Sequence, residues 1–508
     1  VRYAGINQID PDAFEVGTIG NVEEERHAVT TTGRFQINDR WETGWNALFQ
    51  TDNNFARTYD LDGFGERDVV NELYLTGLGD KNFFDIRAQD FLVQDNQIDF
   101  DVTRLGNQTF DDQQATLLPS LDYNAVTNDT FEYGQISLDI NIASVSRDVF
   151  QVSNFDSNAA VLSPNERFTG IEGNTTRFSA EVEWKASNIT DLGAVVTTAL
   201  SARGDAIIQD TDLLNSVSNP LMSNDSIYRS MPAGSLEIRY PLIASSENAS
   251  HLFEPIAQVV VRPDETNIGE FANEDAQSLV FDTSNLFERD KFSGFDRVEG
   301  GTRANVGFRY SASFVNTGNV TIVAGQSFHL AGQNSFAQRD LVNAGLESGL
   351  ETDRSDYVAS LQVDNGGGVS AGVSVRLDES DLDLNRVEVS SKVIETDYSF
   401  AANYVFTEAQ PLYRFNRDRH EISGSGSLRI DENWRLFGST TYDIEVSETV
   451  SNSVGIAYND DCFSFSIGYS ELNRDFNGDD IERSINFSLG LRTIGGFERS
   501  VAFDQDDN

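Results

Sequence analysis

Four histidines, one cysteine and several carboxylate clusters are the residues of this chain with chemistry to offer. His251 stands close to Ser245, Ser246 and Ser250, the pairing of base and hydroxyl that a Ser-His hydrolase needs. That would suit a membrane phospholipase, but these residues form a short polar stretch between two apolar runs, where turn polarity explains them without catalysis. His27, His329 and His420 are scattered, without metal-ligand spacing and without a nearby cysteine. The run Asp475-Phe476-Asn477-Gly478-Asp479-Asp480-Ile481-Glu482 sets oxygen ligands around a glycine, as a calcium loop does, yet lacks the full spacing. No resident cofactor is expected. Weak Ca2+ or Mg2+ binding at acidic outer loops, beside surface-lipid phosphates, is the one metal expectation. Cys462 is the only cysteine. Residue chemistry leaves it either an inert thiol or half of a disulfide whose partner lies elsewhere.

The elements that must position these residues have period-two hydrophobicity. Tyr357, Ala359, Leu361 and Val363, then Val369, Ala371, Val373, Val375 and Leu377, face one way; Ser360, Gln362, Ser370, Ser374 and Arg376 face the other. Between the two runs lies Asp364-Asn365-Gly366-Gly367-Gly368, which supplies the positive φ angles of a tight hairpin. Phe178, Ala180, Val182 and Trp184 likewise alternate with Arg177, Ser179, Glu181, Glu183 and Lys185. A face carrying both charge signs cannot look at lipid, where a midplane Lys or Arg costs about 2–4 kcal/mol, so it must line a lumen.

Connection lengths then alternate. Short turns fall near Asn38–Arg40, Gly79–Lys81, Ala186–Asp191, Ser245–Ser250, Asn316–Asn319, Glu395–Asp397, Asp431–Asn433 and Asn459–Asp461. Long loops fall near Asp52–Asp68, Val93–Gln113, Phe150–Thr175, Gly204–Ala233, Pro263–Gly300, Leu330–Ser355, Thr407–Arg419 and Glu471–Glu482. Short turns on one rim and long loops on the other are the layout of an outer-membrane barrel, with the short turns periplasmic. The expected fold is therefore all-β: a large antiparallel transmembrane β-barrel, roughly 22 strands being legible over residues 1–508. Ser484–Thr493, with Ile485, Phe487, Leu489 and Leu491 on one face, reads as the last strand, and Cys462 falls on the periplasmic rim.

Composition agrees. The 508 residues carry 36 Lys and Arg against 82 Asp and Glu, a formal net charge of -46, the wrong sign for neutralising nucleic-acid phosphates. With 35 Phe and 15 Tyr the chain is too aromatic for a solvated coil, and the rings suit interfacial girdles; the competing soluble β-sandwich would use them as core. Only 39% of residues are hydrophobic, as expected when half of every strand faces a wet lumen. Val1 already reads as strand and no leader precedes it, so a trimmed segment of a longer precursor is expected.

Longer motifs carry a family resemblance. Phe292-Ser293-Gly294-Phe295-Asp296-Arg297 sits inside a stretch running from Asn273-Glu274-Asp275 to Gly301-Thr302-Arg303. With it stand Trp41-Glu42-Thr43-Gly44-Trp45, Leu118-Pro119-Ser120-Leu121-Asp122-Tyr123, Arg239-Tyr240-Pro241 and Leu252-Phe253-Glu254-Pro255. These resemble the C-terminal barrel of the lipopolysaccharide-assembly family LptD (organic solvent tolerance protein), closest to alphaproteobacterial members, over nearly the whole chain. The resemblance implies a barrel of about 26 strands, with about four strands and a periplasmic β-jellyroll domain upstream of Val1. It implies lipopolysaccharide as cargo, delivered by a periplasmic protein bridge into the jellyroll. The lipid would leave through a seam between first and last strands while the sugars cross the lumen, with an LptE-like lipoprotein as plug. By the same resemblance Ile485, Phe487, Leu489 and Leu491 belong to the gating last strand, and Cys462 stands where many members carry adjacent cysteines bridged to the N-terminal domain. A self-contained porin or nutrient-uptake barrel is the alternative reading.

Overall fold

Period-two segments separated by turn residues can satisfy their backbone only by pairing with one another, and they do so in chain order. The computed structural model describes residues 1–13, 23–59, 61, 63–64, 67–94, 100–102, 106–108, 111–127, 134–153, 167–211, 226–413, 415–473, 481–491 and 495–502. Its main body is one sheet of 24 strands, from Arg2–Asn7 to Gly495–Ala502. Successive members pair antiparallel, as in the hairpins of Gly173–Ile189 with Val195–Thr211 and Tyr357–Asp364 with Val369–Leu377. Ile227–Arg239 and Leu242–Ser245 both pair with Ala249–Val261. Pro241, which has no N–H to donate, separates them, so they are one stave in two pieces and the wall has 23 positions. Among the described residues no pairing joins the first strand to the last, and no helix is long and apolar enough to cross a membrane.

The wall is inside out. Phe178 is 45% exposed while its neighbours Arg177 and Ser179 are 4% and 1% exposed, and Tyr228 at 77% stands beside Arg229 at 5%. An apolar face bared all round and a charged face packed inside is the reverse of a soluble sandwich, and it is the arrangement of a membrane barrel.

Three expectations need correction, two concerning strands and one concerning loops. Gly173–Ile189 and Val195–Thr211 have 17 residues each, whereas about 9–11 suffice to cross a bilayer. Their ends run into the expected Phe150–Thr175 and Gly204–Ala233 loops, where polar residues at Asn174, Thr175, Asp205, Gln209 and Asp210 and the adjacent Ile207 and Ile208 blur the apolar alternation in sequence although the in-and-out burial persists. The second correction concerns the end of the sheet. Ile481–Leu491 is followed by Gly495–Ala502, paired with it from Ser484↔Ala502 to Leu491↔Gly495. Among the described residues Ile485, Phe487, Leu489 and Leu491 therefore lie on the penultimate strand. The weak apolar content of Gly495–Ala502, with three glycine or serine residues and two charges in eight, hid the last one.

Hydrophobic cores form where loops meet the lumen wall. The outer loops expected at Pro263–Gly300 and Leu330–Ser355 are seen as residues 262–301 and 332–356, and they fold inward. Phe281, Leu286, Phe292, Phe336, Val342, Ala344 and Leu350 from these two segments pack together against Val358 of the wall.

Candidate functional site: a lumen loop held by three arginines

Strand alternation places one arginine on the lumen face of each of three consecutive staves: Arg177, Arg203 and Arg229. Register sets Ser179, Asp205 and Arg229 in one cross-strand row. Asp205 accepts from Arg203 Nε at 3.0 Å and from Arg229 Nε at 2.7 Å, which leaves both guanidinium ends aimed into the lumen.

The loop motif meets them there. Gly294 adopts φ +69, open to glycine at no steric cost, and a Cβ at this position would collide with the Asp275 carboxylate. Past that turn the Asp275 carboxylate accepts the Phe295 and Asp296 N–H groups at 2.9 and 2.8 Å. The backbone thus turns two carbonyls outward. Arg229 donates to Phe295 O at 2.8 Å and to Asp296 O at 2.9 Å, and Arg203 also donates to Phe295 O. The Phe295 ring lies under both Arg177 (5.4 Å) and Arg203 (5.2 Å), a cation–π arrangement. The Asp296 carboxylate pairs with Arg177 and accepts the N–H groups of Glu274 and Asp275 at 2.7 and 3.1 Å. Burial pushes the Asp296 carboxyl up to about 6, against the pull of Arg177.

The remaining motif residues tie the two inward segments together. Arg297 forms an ion pair with Asp340 and stands 4.4 Å over the Phe292 ring, which in turn lies 4.8 Å from the Phe336 ring. Ser293 Oγ reaches Asp275 O at 3.5 Å. Glu265, held by Arg229 at 3.0 Å, and Arg303–Glu299 at 2.6 Å fix the start and end of the loop. The motif is thus a clamp that pins the inward-folded loop to the lumen wall, with aromatic, backbone and charged contacts each needing its own residue type.

Other candidate residues are dispersed. His251 Nδ1 pairs with Tyr310 Oη at 2.9 Å, and the Ser246 hydroxyl caps its own turn by accepting from Ala249 N–H at 3.1 Å; base and hydroxyl are engaged separately. His27 and His420 are likewise each set against a tyrosine, Tyr3 and Tyr404. Cys462 is exposed in the turn between Glu448–Asn459 and Phe463–Asn473, its N–H donated to Asp460 Oδ1 at 2.7 Å. Ile485 and Leu491 keep an exposed outer face. The Asp475-to-Asp480 part of the calcium-like run lies outside the described residues. Asp356, Asp378 and Glu379 do bring one carboxylate oxygen each within 4.8 Å of one another, but Asp356 is already bound by Arg376 at 3.3 Å and Asn385 at 2.9 Å.

Of the three arginines only Arg177 was legible in the sequence as a lumen-face charge; Arg203 was not singled out, and Arg229, expected within the Gly204–Ala233 loop, lies instead on the strand Ile227–Arg239. What made them a site, the register across strands, is not written in any single segment.

Comparison with known proteins follows this geometry. The LptD family profile, described as LPS transport system D, matches residues 24–434 and 413–497. Relatives named LPS-assembly protein LptD include that of Pectobacterium atrosepticum, 23% identical over 266 residues, covering 49% of this chain and 33% of the relative. That of Mannheimia succiniciproducens is 23% identical over 316 residues, covering 56% and 39%. The matched part thus spans well under two thirds of those relatives. Among solved structures, a mutant ferric enterobactin receptor from Pseudomonas aeruginosa overlaps 92% of this chain and 70% of its own at 10% identity, with a TM-score of 0.38, too low to carry weight. The profile covers most of the wall, the clamp loop included, and the chain belongs to the LptD family.

Proposed function

We propose that this chain is the barrel through which lipopolysaccharide is placed in the outer leaflet of the outer membrane. The observation that carries the proposal is the family match over a wall that is apolar outside and charged inside. In this reading residues 1–508 are one barrel domain of a longer protein. A periplasmic bridge protein delivers cargo to a domain upstream, an LptE-like lipoprotein fills the remaining lumen, and lipid leaves laterally through a seam at the ends of the sheet. The seam would then involve Gly495–Ala502, with Ile485, Phe487, Leu489 and Leu491 one strand behind it.

The barrel performs no covalent step. Its work is to give the glycolipid two environments at once, hydrocarbon outside and water inside, across a wall one strand thick. The clamp loop supports this reading over an open diffusion pore, because a solute pore gains nothing from a large hydrophobic core folded across its lumen. The test is depletion of the full-length protein in its own bacterium, with surface lipopolysaccharide measured by accessibility to an outer-leaflet modifying enzyme. Surface lipopolysaccharide should fall as the protein is depleted and return on re-expression. An unchanged surface after depletion would refute the assignment.

A further inference from the structure

The stave made of Ile227–Arg239 and Leu242–Ser245 leaves a step in the short-turn rim. Its first piece pairs on one side with Val195–Thr211, and that ladder ends at Val195↔Arg239. Pro241 has no N–H with which to continue it. The neighbouring hairpin closes on itself at this level, Thr190 N–H donating to Ala194 O and Gly193 N–H to Thr190 O, each at 2.8 Å. Leu242–Ser245 runs on past that point, paired with Ala249–Val261. The latter keeps its own further partner as far as Ala249↔Phe314.

Alternation identifies the backbone groups left over. Tyr240 N–H donates to Pro255 O at 3.1 Å and Ser246 N–H to Ala249 O at 2.8 Å, so the even residues of this stretch face the paired side. The N–H and C=O groups of Ile243 and Ser245 therefore point out of the sheet, and neither residue has a second strand beside it among the described residues. Unpaired strand groups are not tolerated in hydrocarbon, so this edge lies in water or against another chain. The side chains carry a second signal. Ile243 stands across from Leu252, and Ile189 across from Val195; by parity with Gln258 and Arg177 all four are on the inward side. Ile243 is 72% exposed and Ile189 77%. Lipid accounts for apolar residues bared on the outer face and does not account for these.

We propose that the step receives an extended segment of a periplasmic protein, added as a further strand along Leu242–Ser245. A free edge specifies the shape of its occupant, since an extended chain presents donors and acceptors at strand spacing, and its alternate side chains then meet the apolar surface. Apolar residues of that segment cover Ile243 and Ile189. Charge sets its ends. The turns on either side of the edge carry Asp191 and Glu247, both exposed and in no ion pair among the described residues, so a segment with Lys or Arg at each end is complementary. A second copy does not fit: barrels sharing a membrane are related by an axis along the strands, and an antiparallel ladder needs one across them. The inference concerns the wall alone and stands apart from what the barrel carries.

The test measures binding of the synthetic peptide Lys-Val-Thr-Val-Thr-Lys to the detergent-solubilised full-length protein by fluorescence anisotropy. The peptide should bind, and an analogue N-methylated throughout should bind about tenfold more weakly or not at all. Ile243→Pro removes one outward N–H while sparing the bonds to Ala249–Val261, and should weaken binding about tenfold. Asp191→Lys with Glu247→Lys, both in exposed turns, should shift the preference to a glutamate-ended analogue while the heat-modifiable folded band is unchanged. Absence of binding, an N-methylated analogue as tight as the parent, or binding indifferent to both Ile243→Pro and the charge reversal would overturn the proposal. So would a disulfide-linked dimer formed on oxidation of Ile243→Cys in a Cys462→Ser background, which would assign the edge to a second copy.

Discussion

Replacing Arg229 by methionine tests the clamp at its centre. The guanidinium is 2% exposed, and its carboxylate partners Asp205 and Glu265 are 0% and 1% exposed, so the change strands charge instead of trimming a surface pair. Asp205 keeps Arg203 at 3.0 Å. Glu265 keeps the Asn267 N–H at 2.9 Å but loses its cation. The carbonyls of Phe295 and Asp296 lose their Arg229 donors, although Arg203 still reaches Phe295 O. Breaking a buried pair from one side costs about 3–5 kcal/mol, and the surviving partners of Asp205 and Phe295 argue for the lower end. About 3 kcal/mol corresponds to roughly a hundredfold rise in the open population of the loop. Hydrogen exchange followed by mass spectrometry on the full-length protein reads this directly. Peptides spanning residues 290–300 should exchange about two orders of magnitude faster, while the Val369–Leu377 strand stays protected. The control is Arg239→Met, whose side chain is 38% exposed and paired with Glu237 along its own strand; it should change little. If Arg229→Met leaves the loop as protected as the control does, the arginines are not what holds it.

Four further outcomes are expected. Val373→Arg places a charge on the outward face at the middle of Val369–Leu377, opposite Leu361 and Val389, at a cost of about 2–4 kcal/mol. Ser374→Arg, opposite Ser360 and Glu388, should be tolerated, and equal loss of the heat-modifiable folded band for both would contradict the assigned faces. Gly294→Ala should loosen the same loop peptides as Arg229→Met, because it forces an L side chain into φ +69 against Asp275; unchanged exchange would show that the turn can relax. Burial lowers the Lys291 ammonium from 10.5 to about 8, with Nζ donating to Glu288 O at 3.0 Å. Its charged form is therefore penalised below pH 8, and the penalty disappears as pH rises from 8 to 10.5, where the unfolded chain still binds the proton. Stability should thus gain up to about 3 kcal/mol over that window, and Lys291→Met should lose this gain, so that loop exchange in the variant lacks the wild-type pH dependence between 8 and 10.5. Finally, non-reducing electrophoresis of the full-length protein should show a mobility shift that Cys462→Ser removes; identical mobility would leave the thiol without a partner.

How far the sequence reached depends on the range of each interaction. Alternation is local: Tyr357 to Val363 and Val369 to Leu377 announce their faces and their hairpin without help from the rest of the chain, and the structure pairs them residue for residue. Turn chemistry is local as well, which is why Asp364 to Gly368 was legible. The strand Gly495–Ala502 was not, because a strand poor in apolar residues differs from a loop only through its neighbour. Loop direction was equally hidden. Residues 262–301 are polar enough to read as solvated, and what draws them inward is three arginines more than 30 residues away in sequence.

The same reasoning explains why Phe292 to Arg297 stood out as a motif before it had a role. Each residue answers a constraint of a different kind: Gly294 a positive φ, Phe295 a ring beneath two guanidinium groups, Asp296 a buried arginine, Arg297 a buried aspartate on the second segment. A position bound by several partners tolerates fewer substitutes than a stave that need only be apolar on one face. Identity should therefore concentrate in the clamp and thin out along the wall, where Val, Leu and Phe exchange freely against lipid.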